Sequence, residues 1–267
     1  MTPLTHMPTW KLEIEYKGTR YHGWQIQQNA RTVQGELLKV ARQIFSSSEK
    51  IEIGGSGRTD AGVHALCQVA HLRVKKLQKN LKPSDILIAF NDLLPHDINL
   101  LKVENAPANF HARHDAISRY YLYQISTRRT ALGKHFVWWI KDKLNVQKMK
   151  QASSFLIGKH DFSAFSDVEK GQSPLVVVEH SDVFTDGSLI CFRIGASHFL
   201  WKMVRRLVGT LVEVGRGNLS TQDFQNLLRE PGSSAKFTAP SSGLFLEKVL
   251  YKGDKPPNAR RAIIPIQ

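Results

Sequence analysis

The sequence of 267 residues contains only two cysteines, Cys67 and Cys191, which lie far apart, each inside a strand-like apolar run. Two such residues are too few for a disulfide-based scaffold, and buried free thiols are predicted. The cysteines and the 11 histidines form neither a Cys-x-x-Cys nor a His-Glu-x-x-His pattern. Because these spacings supply the usual ligands of zinc, no metal site is predicted.

Long apolar runs are also missing from the sequence. No run approaches the ~18 apolar residues that a membrane-spanning helix needs, and residues 1–9 are polar and lack the apolar segment of a signal peptide. We therefore expect a cytoplasmic protein that does not span a membrane.

Acidic residues are few compared with basic ones. The chain has 23 Asp and Glu against 37 Lys and Arg, which gives a formal net charge of +14. Such an excess is typical of proteins that bind nucleic acids. A basic protein could also bind an anionic membrane surface. Such binding requires a basic amphipathic helix or a lipidation signal, and the sequence shows neither.

Apolar periodicity in the first part of the chain predicts the order β-α-β-β-α-β. Residues 10–16 alternate between apolar and charged residues, as in a half-buried strand. Thr32 is predicted to cap the helix that follows. The predicted strands are 10–16, 51–53, 63–74 and 98–104, and the predicted helices are 33–45 and 83–94.

The second part of the chain repeats this order with one additional helix. Its predicted strands are 118–126, 177–184, 189–195 and 244–251, and its predicted helices are 146–157, 199–214, capped by Gly215, and 220–229. We therefore predict an α+β protein of two tandem ferredoxin-like β-α-β-β-α-β subdomains with antiparallel sheets, residues 1–107 and 108–267. A basic cleft between them is the expected site for a large ligand.

A glycine-rich stretch after the second predicted strand surrounds one cation and one carboxylate, Arg58 and Asp60. These two residues would face the same way in an extended segment, and a carboxylate beside a guanidinium stays ionised at neutral pH. The alternative is a tight turn in which Asp60 caps its own backbone and Arg58 forms a surface ion pair. Dense glycines mark a backbone that turns sharply or is approached closely. They are Gly54, Gly55, Gly57 and Gly62.

Residues 57–65, Gly-Arg-Thr-Asp-Ala-Gly-Val-His-Ala, resemble the catalytic signature of the TruA family of tRNA pseudouridine synthases. The resemblance extends from about Trp10 to Tyr251. It implies a homodimeric enzyme that isomerises uridine to pseudouridine in the anticodon stem-loop of tRNA, at positions 38 to 40. It also implies that Asp60 is the catalytic residue, acting as nucleophile or as base. The isomerisation is redox-neutral, so no cofactor is expected.

Two further segments resemble family motifs. Residues 119–123, Arg-Tyr-Tyr-Leu-Tyr, place Tyr121 where the family has the tyrosine that stacks on the target base. Residues 199–205, Phe-Leu-Trp-Lys-Met-Val-Arg, place Arg205 where the family has an active-site arginine. The resemblance implies that Arg58 and Arg205 keep Asp60 ionised and contact the RNA. From the residues alone, a strand tyrosine such as Tyr121 is usually a core residue, and Arg205 could be a cation on a helix surface.

Two other segments leave alternatives open. Tyr21 and Trp24 lie in a segment that also resembles the family, and they could stack on bases or pack on the core. Residues 252–267 are predicted to be disordered, with contact to phosphates as the alternative. They contain Lys255, Arg260 and Arg261.

The composition also fits a non-catalytic RNA-binding protein or a tRNA chaperone. Asp60 separates this hypothesis from an enzyme, because a surface that only binds phosphates has no use for a carboxylate at its centre. A synthase that acts on another RNA is a further alternative.

Overall fold

The computed structural model describes residues 7–48, 50–75, 81–167, 171–230 and 234–266. The chain forms two compact units. The first consists of Met1–Ile117 and Tyr251–Gly253, and the second of Ser118–Leu250 and Asp254–Gln267. Residues 108–117 lie in the first unit, so the division differs from the limit predicted between residues 107 and 108.

The first unit contains six elements in the predicted order. They are β1 (Thr9–Tyr16), α1 (Val33–Ile44), β2 (Lys50–Gly55), β3 (His64–Lys75), α2 (Pro83–Leu93) and β4 (Ile98–Ala106). The strands form an antiparallel sheet in the order β4-β1-β3-β2. As predicted, β1 buries every second residue, and the Thr32 side chain accepts a hydrogen bond from the Gly35 amide at the start of α1.

The second unit contains more strands than the sequence predicts. Its elements are β5 (Ser118–Ser126), β6 (Trp138–Trp139), α3 (Val146–Ser154), β7 (Gly158–Asp161), β8 (Leu175–Asp186), β9 (Leu189–Ala196), α4 (Met203–Arg216), α5 (Thr221–Arg229) and β10 (Leu244–Leu250). The order β10-β5-β9-β8-β7 is antiparallel throughout, and β6 runs parallel to the last residues of β5. The short strands β6 and β7 were not predicted, since two and four residues are too few for a periodic pattern.

The predicted mixed α and β fold class is confirmed by both units. The ferredoxin-like assignment of each unit stays a prediction. Both cysteines are free thiols, as predicted; Cys191 is buried and Cys67 is partly buried. Within the described ranges, no helix is long and apolar enough to cross a membrane.

The limits of α4 differ from the predicted helix 199–214. The helix starts at Met203 because Lys202 adopts a left-handed conformation with φ of 62°, which an α-helix cannot include. It ends at Gly217, whose φ of 84° forms the C-cap. The prediction that Gly215 is the cap is therefore wrong, since Gly215 is buried inside the helix.

The C-terminal segment is ordered against the second unit, so the prediction of disorder for residues 252–267 is wrong for the part that the structure describes. The Gln124 side-chain carbonyl accepts hydrogen bonds from the amides of Ile263 and Ile264, at 2.6 and 3.1 Å. Ile266 is only 8% exposed and joins an apolar cluster. The other buried members are Leu122, Val137, Phe184, Leu189 and Cys191. Gln267 lies outside the described residues.

Candidate active site

The segment that carries Asp60 is fixed to the core of the first unit on both sides of this residue. Thr59 is buried, and its hydroxyl lies 2.8 Å from the Tyr16 hydroxyl. The Thr59 carbonyl accepts a hydrogen bond from the Trp24 amide at 3.0 Å, and the Gly62 amide donates to the Tyr21 carbonyl at 3.2 Å. The backbone on either side of Asp60 is therefore held in place before any ligand binds.

A buried glutamine holds the start of the same loop. The Gln68 side chain is fully buried in β3. Its carbonyl accepts from the Ser56 hydroxyl at 2.6 Å, and its amide donates to the Gly57 carbonyl at 3.1 Å. Because buried polar groups need their partners, this pair of bonds fixes the path of the loop as it leaves β2.

Two glycines outside the motif allow the loop to lie against the β1–α1 connection. A Cβ atom at Gly23, whose φ is 88°, would lie 2.4 Å from the Thr59 carbonyl oxygen. A Cβ atom at Gly18 would lie 1.9 Å from the Val63 carbonyl oxygen. The Gly18 amide also donates to His64 Nδ1 at 3.0 Å. Neither position was predicted, because close approach between distant segments leaves no local pattern in the sequence.

Tyr21 and Trp24 pack in the core, which decides between their two predicted roles. They are 3% and 1% exposed, so neither ring is available to stack on a base. The Tyr21 hydroxyl donates to the Asp97 carboxylate at 2.5 Å, and Arg20 also bonds to it. Burial acts to raise the pKa of Asp97, but these hydrogen bonds outweigh it and the pKa lies below its usual value. Burial also raises the pKa of Tyr16 to about 12.

Arg58 and Asp60 flank the inward-facing Thr59. Arg58 is exposed and Asp60 is partly buried, as expected when every second residue of an extended segment faces the same way. The loop therefore presents a cation to solvent next to a carboxylate in a fixed stretch of backbone. This arrangement suits a carboxylate that reacts with a ligand bound to the same surface.

In the second unit, Tyr121 lies in β5 and is 8% exposed. Its ring contacts Phe199 edge-on, with 5.0 Å between ring centroids. Tyr123 lies two residues along and donates its hydroxyl to the Pro240 carbonyl at 2.8 Å. Burial raises the pKa of Tyr123 well above its usual value, so its hydroxyl stays protonated.

Arg205 lies in the first turns of α4 and is fixed by the segment after α5. Its Nε donates to the Ala239 carbonyl at 2.8 Å, and the Ala239 amide donates to the Arg205 carbonyl at 3.0 Å. The next residue, Arg206, instead pairs with Asp167. Hydrogen bonds from Lys202 and then Arg206 lower the pKa of Asp167. Arg206 therefore fastens the start of the helix to Asp167, and Arg205 fastens it to the segment after α5.

The predicted site residues are divided between the two units. Arg58 and Asp60 belong to the first unit, and Tyr121 and Arg205 to the second. Across the described ranges, no group of three or more His, Cys, Asp or Glu side chains could hold a metal ion.

Comparison with known proteins connects this geometry to a family. Residues 13–115 and 152–252 match the family model described as tRNA pseudouridine synthase. These ranges include Arg58, Asp60 and Arg205 but not Tyr121. A tRNA pseudouridine synthase A of Rhodopseudomonas palustris (strain BisA53) is 43% identical over 251 residues, covering 92% of this chain and 100% of the relative. The protein of the same name from Aquifex aeolicus (strain VF5) is 37% identical over 246 residues, covering 91% and 100%.

Proposed function

The chain belongs to the tRNA pseudouridine synthase family of isomerases, and we propose that it converts uridine to pseudouridine in the anticodon stem-loop of tRNA, at positions 38 to 40. The names of its relatives support tRNA as the substrate. The resemblance of residues 57–65 to the TruA signature supports the position. The observation that carries the proposal is the Asp60 carboxylate in a loop fixed on both sides by Thr59 and Gly62.

The reaction exchanges one bond of the uridine for another. The bond from ribose C1′ to base N1 breaks, the base rotates, and a bond from C1′ to C5 forms. C5 then loses its proton and N1 gains one, so the product is an isomer of the substrate and no electron acceptor takes part. Asp60 begins this sequence either by attacking the ribose as a nucleophile or by removing a ribose proton as a base.

The target uridine has to leave its stack before Asp60 can reach it, at a cost of a few kcal/mol. Tyr121 offsets this cost by stacking on the displaced base. Because Tyr121 is 8% exposed beside Phe199, this role requires part of its cover to move when RNA binds. Arg58 and Arg205 contact the RNA.

The remaining features follow the family resemblance. The enzyme requires no cofactor, since the isomerisation is redox-neutral. It functions as a homodimer in the cytoplasm, where its tRNA substrate is found.

Asp60→Asn tests the proposal, because an amide is neither a nucleophile nor a base, although it preserves the size of the side chain. We expect pseudouridine formation in tRNA to be lost under single-turnover conditions, while tRNA binding and the melting temperature stay close to wild type. The matched control is Asp92→Asn, at an exposed position of α2, which should leave turnover unchanged.

Single-turnover formation by Asp60→Asn at the wild-type rate would reject Asp60 as the catalytic residue. If wild-type protein binds tRNA tightly but forms no pseudouridine in it, the protein is a binding protein or modifies another RNA. Mapping pseudouridines in total RNA from cells without the gene separates these two outcomes and tests positions 38 to 40.

A further inference from the structure

Three of the four glycines around Arg58 are required by the fold itself. A Cβ atom at Gly54 would lie 2.4 Å from the His71 ring, and one at Gly55 would lie 2.5 Å from the Trp24 ring. Gly62 has a φ of 79°, which disfavours any residue with a side chain. The packing and the turn therefore account for these three positions.

Gly57 differs from its neighbours, because the described residues give no structural reason for a glycine there. Its φ is outside the left-handed region, and a Cβ atom built on it would meet no atom of the described residues within 4 Å. The position is not a free hinge either, since the Gly57 carbonyl accepts from the buried Gln68 amide at 3.1 Å. For the folded protein alone, alanine would be compatible and would reduce the entropy of the unfolded chain.

Gly57 directly precedes the functional end of the loop. Arg58 follows directly and is exposed, and Asp60 lies two residues after Arg58 in the fixed stretch. Glycine permits a ligand to approach the backbone closely, and a guanidinium is suited to binding phosphate. Bare backbone beside an exposed arginine therefore fits the sugar–phosphate chain of a nucleic acid.

We propose that Gly57 is a positioning residue that leaves room for the RNA backbone beside the target uridine, with Arg58 as the adjacent phosphate-binding cation. This inference rests on the proposed function, because it takes tRNA as the ligand. A methyl group at position 57 would occupy the space into which the RNA strand must fit, and a longer side chain would displace the strand further.

The test compares Gly57→Ala and Gly57→Leu with Gly54→Ala as the matched control. Gly54→Ala should lower the melting temperature, because its methyl group would meet the His71 ring. Gly57→Ala should leave the melting temperature unchanged or slightly raised. Its Kd for tRNA should rise about tenfold, as when one charge-assisted contact is displaced, and Gly57→Leu should weaken binding further. Single-turnover rates at saturating tRNA should fall less than the affinity.

Three other outcomes for the Gly57 variants would overturn the inference, each in a recognisable way. Wild-type affinity in both Gly57 variants would show that no ligand needs this space. An equal loss in Ala and Leu variants would indicate that backbone freedom matters instead. A lower melting temperature in Gly57→Ala would make the glycine structural. Absence of pseudouridine formation by wild-type protein would reject the proposed function, but the Kd comparison would still decide whether Gly57 clears a path for RNA.

Discussion

Thr59 helps to orient the candidate catalytic loop through a buried contact of its side chain. Its side chain faces inward between Arg58 and Asp60, and its hydroxyl meets that of Tyr16 at 2.8 Å. Both hydroxyls are buried, so neither can exchange this partner for water without unfolding the loop. The orientation of the Asp60 carboxylate therefore depends on its neighbour Thr59, whose side chain faces the core on the opposite side of the backbone.

Substitution of Tyr121 shows whether its ring stacks on the displaced base or only packs in the core. Tyr121→Phe keeps the ring and should retain most of the turnover. Tyr121→Ala removes it and should cost roughly 1 to 3 kcal/mol in the binding of the displaced base, measured as slower single-turnover pseudouridine formation. The control is Tyr120→Ala on the opposite face of β5, which should lower the melting temperature but leave the turnover of folded protein unchanged. Wild-type turnover in Tyr121→Ala would identify Tyr121 as a core residue only.

His71 connects β3 to the segment that follows β4. The ring is 1% exposed, its Nδ1 accepts from the Ala112 amide at 3.2 Å, and its Nε2 lies 3.2 Å from Glu52. The charged or titratable groups facing it are Glu52, Arg73 and His111. Burial, with the nearby Arg73, lowers the pKa of His71 below its usual value of 6.5. The ring is therefore neutral in the folded protein near neutral pH.

This lowered pKa predicts that stability decreases in mild acid. Below about pH 6.5 the unfolded chain binds a proton at His71 before the folded chain does. The free energy of unfolding should therefore be highest above this pH and fall as the pH decreases towards 5. Denaturant unfolding across this range measures the slope. His71→Gln should reduce the slope, whereas His22→Gln, at an exposed position, should not. An unchanged slope in His71→Gln would contradict the prediction.

The C-terminal segment covers one face of the second unit's sheet, and Ile266 is its apolar anchor. Ile266→Ala should lower the free energy of unfolding by about 2 kcal/mol, at the lower end of the range for buried isoleucine. Ile157→Ala is the matched control, because this isoleucine is 52% exposed, and it should change stability by less than about 0.5 kcal/mol. Chemical denaturation measures both changes. A change in Ile266→Ala as small as that expected for Ile157→Ala would show that Ile266 adds little stability.

Local sequence patterns predicted those elements whose limits depend on local chemistry. Thr32 marks the start of α1 because its own hydroxyl satisfies the helix amide of Gly35. The predicted start of α4 was wrong, because it depends on a distant contact. Lys202 is left-handed, and its side chain pairs with Asp167, 35 residues earlier. The order of the C-terminal segment was missed for the same reason, since Gln124 is separated from its partner Ile264 by 140 residues.

The glycine loop was found from its composition, but its supports were not. Glycines and charges close together in sequence draw attention to this stretch, and the resemblance to the TruA signature singles out residues 57–65. The burial of Tyr21 depends on Asp97 in a distant part of the chain. The roles of Gly18 and Gly23 depend on contacts with the loop. Local patterns therefore predicted the residues of the candidate site and missed the packing that fixes them.

The charge of the molecule predicts how tRNA binding responds to salt. With a formal net charge of +14, binding to tRNA should release counterions. The logarithm of the affinity should fall linearly with the logarithm of the salt concentration, with a slope of about −0.7 to −0.9 for each phosphate neutralised. Titrations from about 50 to 200 mM salt measure it. An affinity independent of salt would contradict an electrostatic mode of binding.

The chain passes between its two units three times, after Ile117, Leu250 and Gly253. On its return to the first unit, Tyr251 donates its hydroxyl to the Ala112 carbonyl at 2.7 Å and packs its ring on Phe110. A gene fragment that stops at residue 117 therefore encodes the first unit without one of its own pieces. During translation, too, the first unit stays incomplete until residues 251–253 have left the ribosome, when almost all of the second unit has been synthesised.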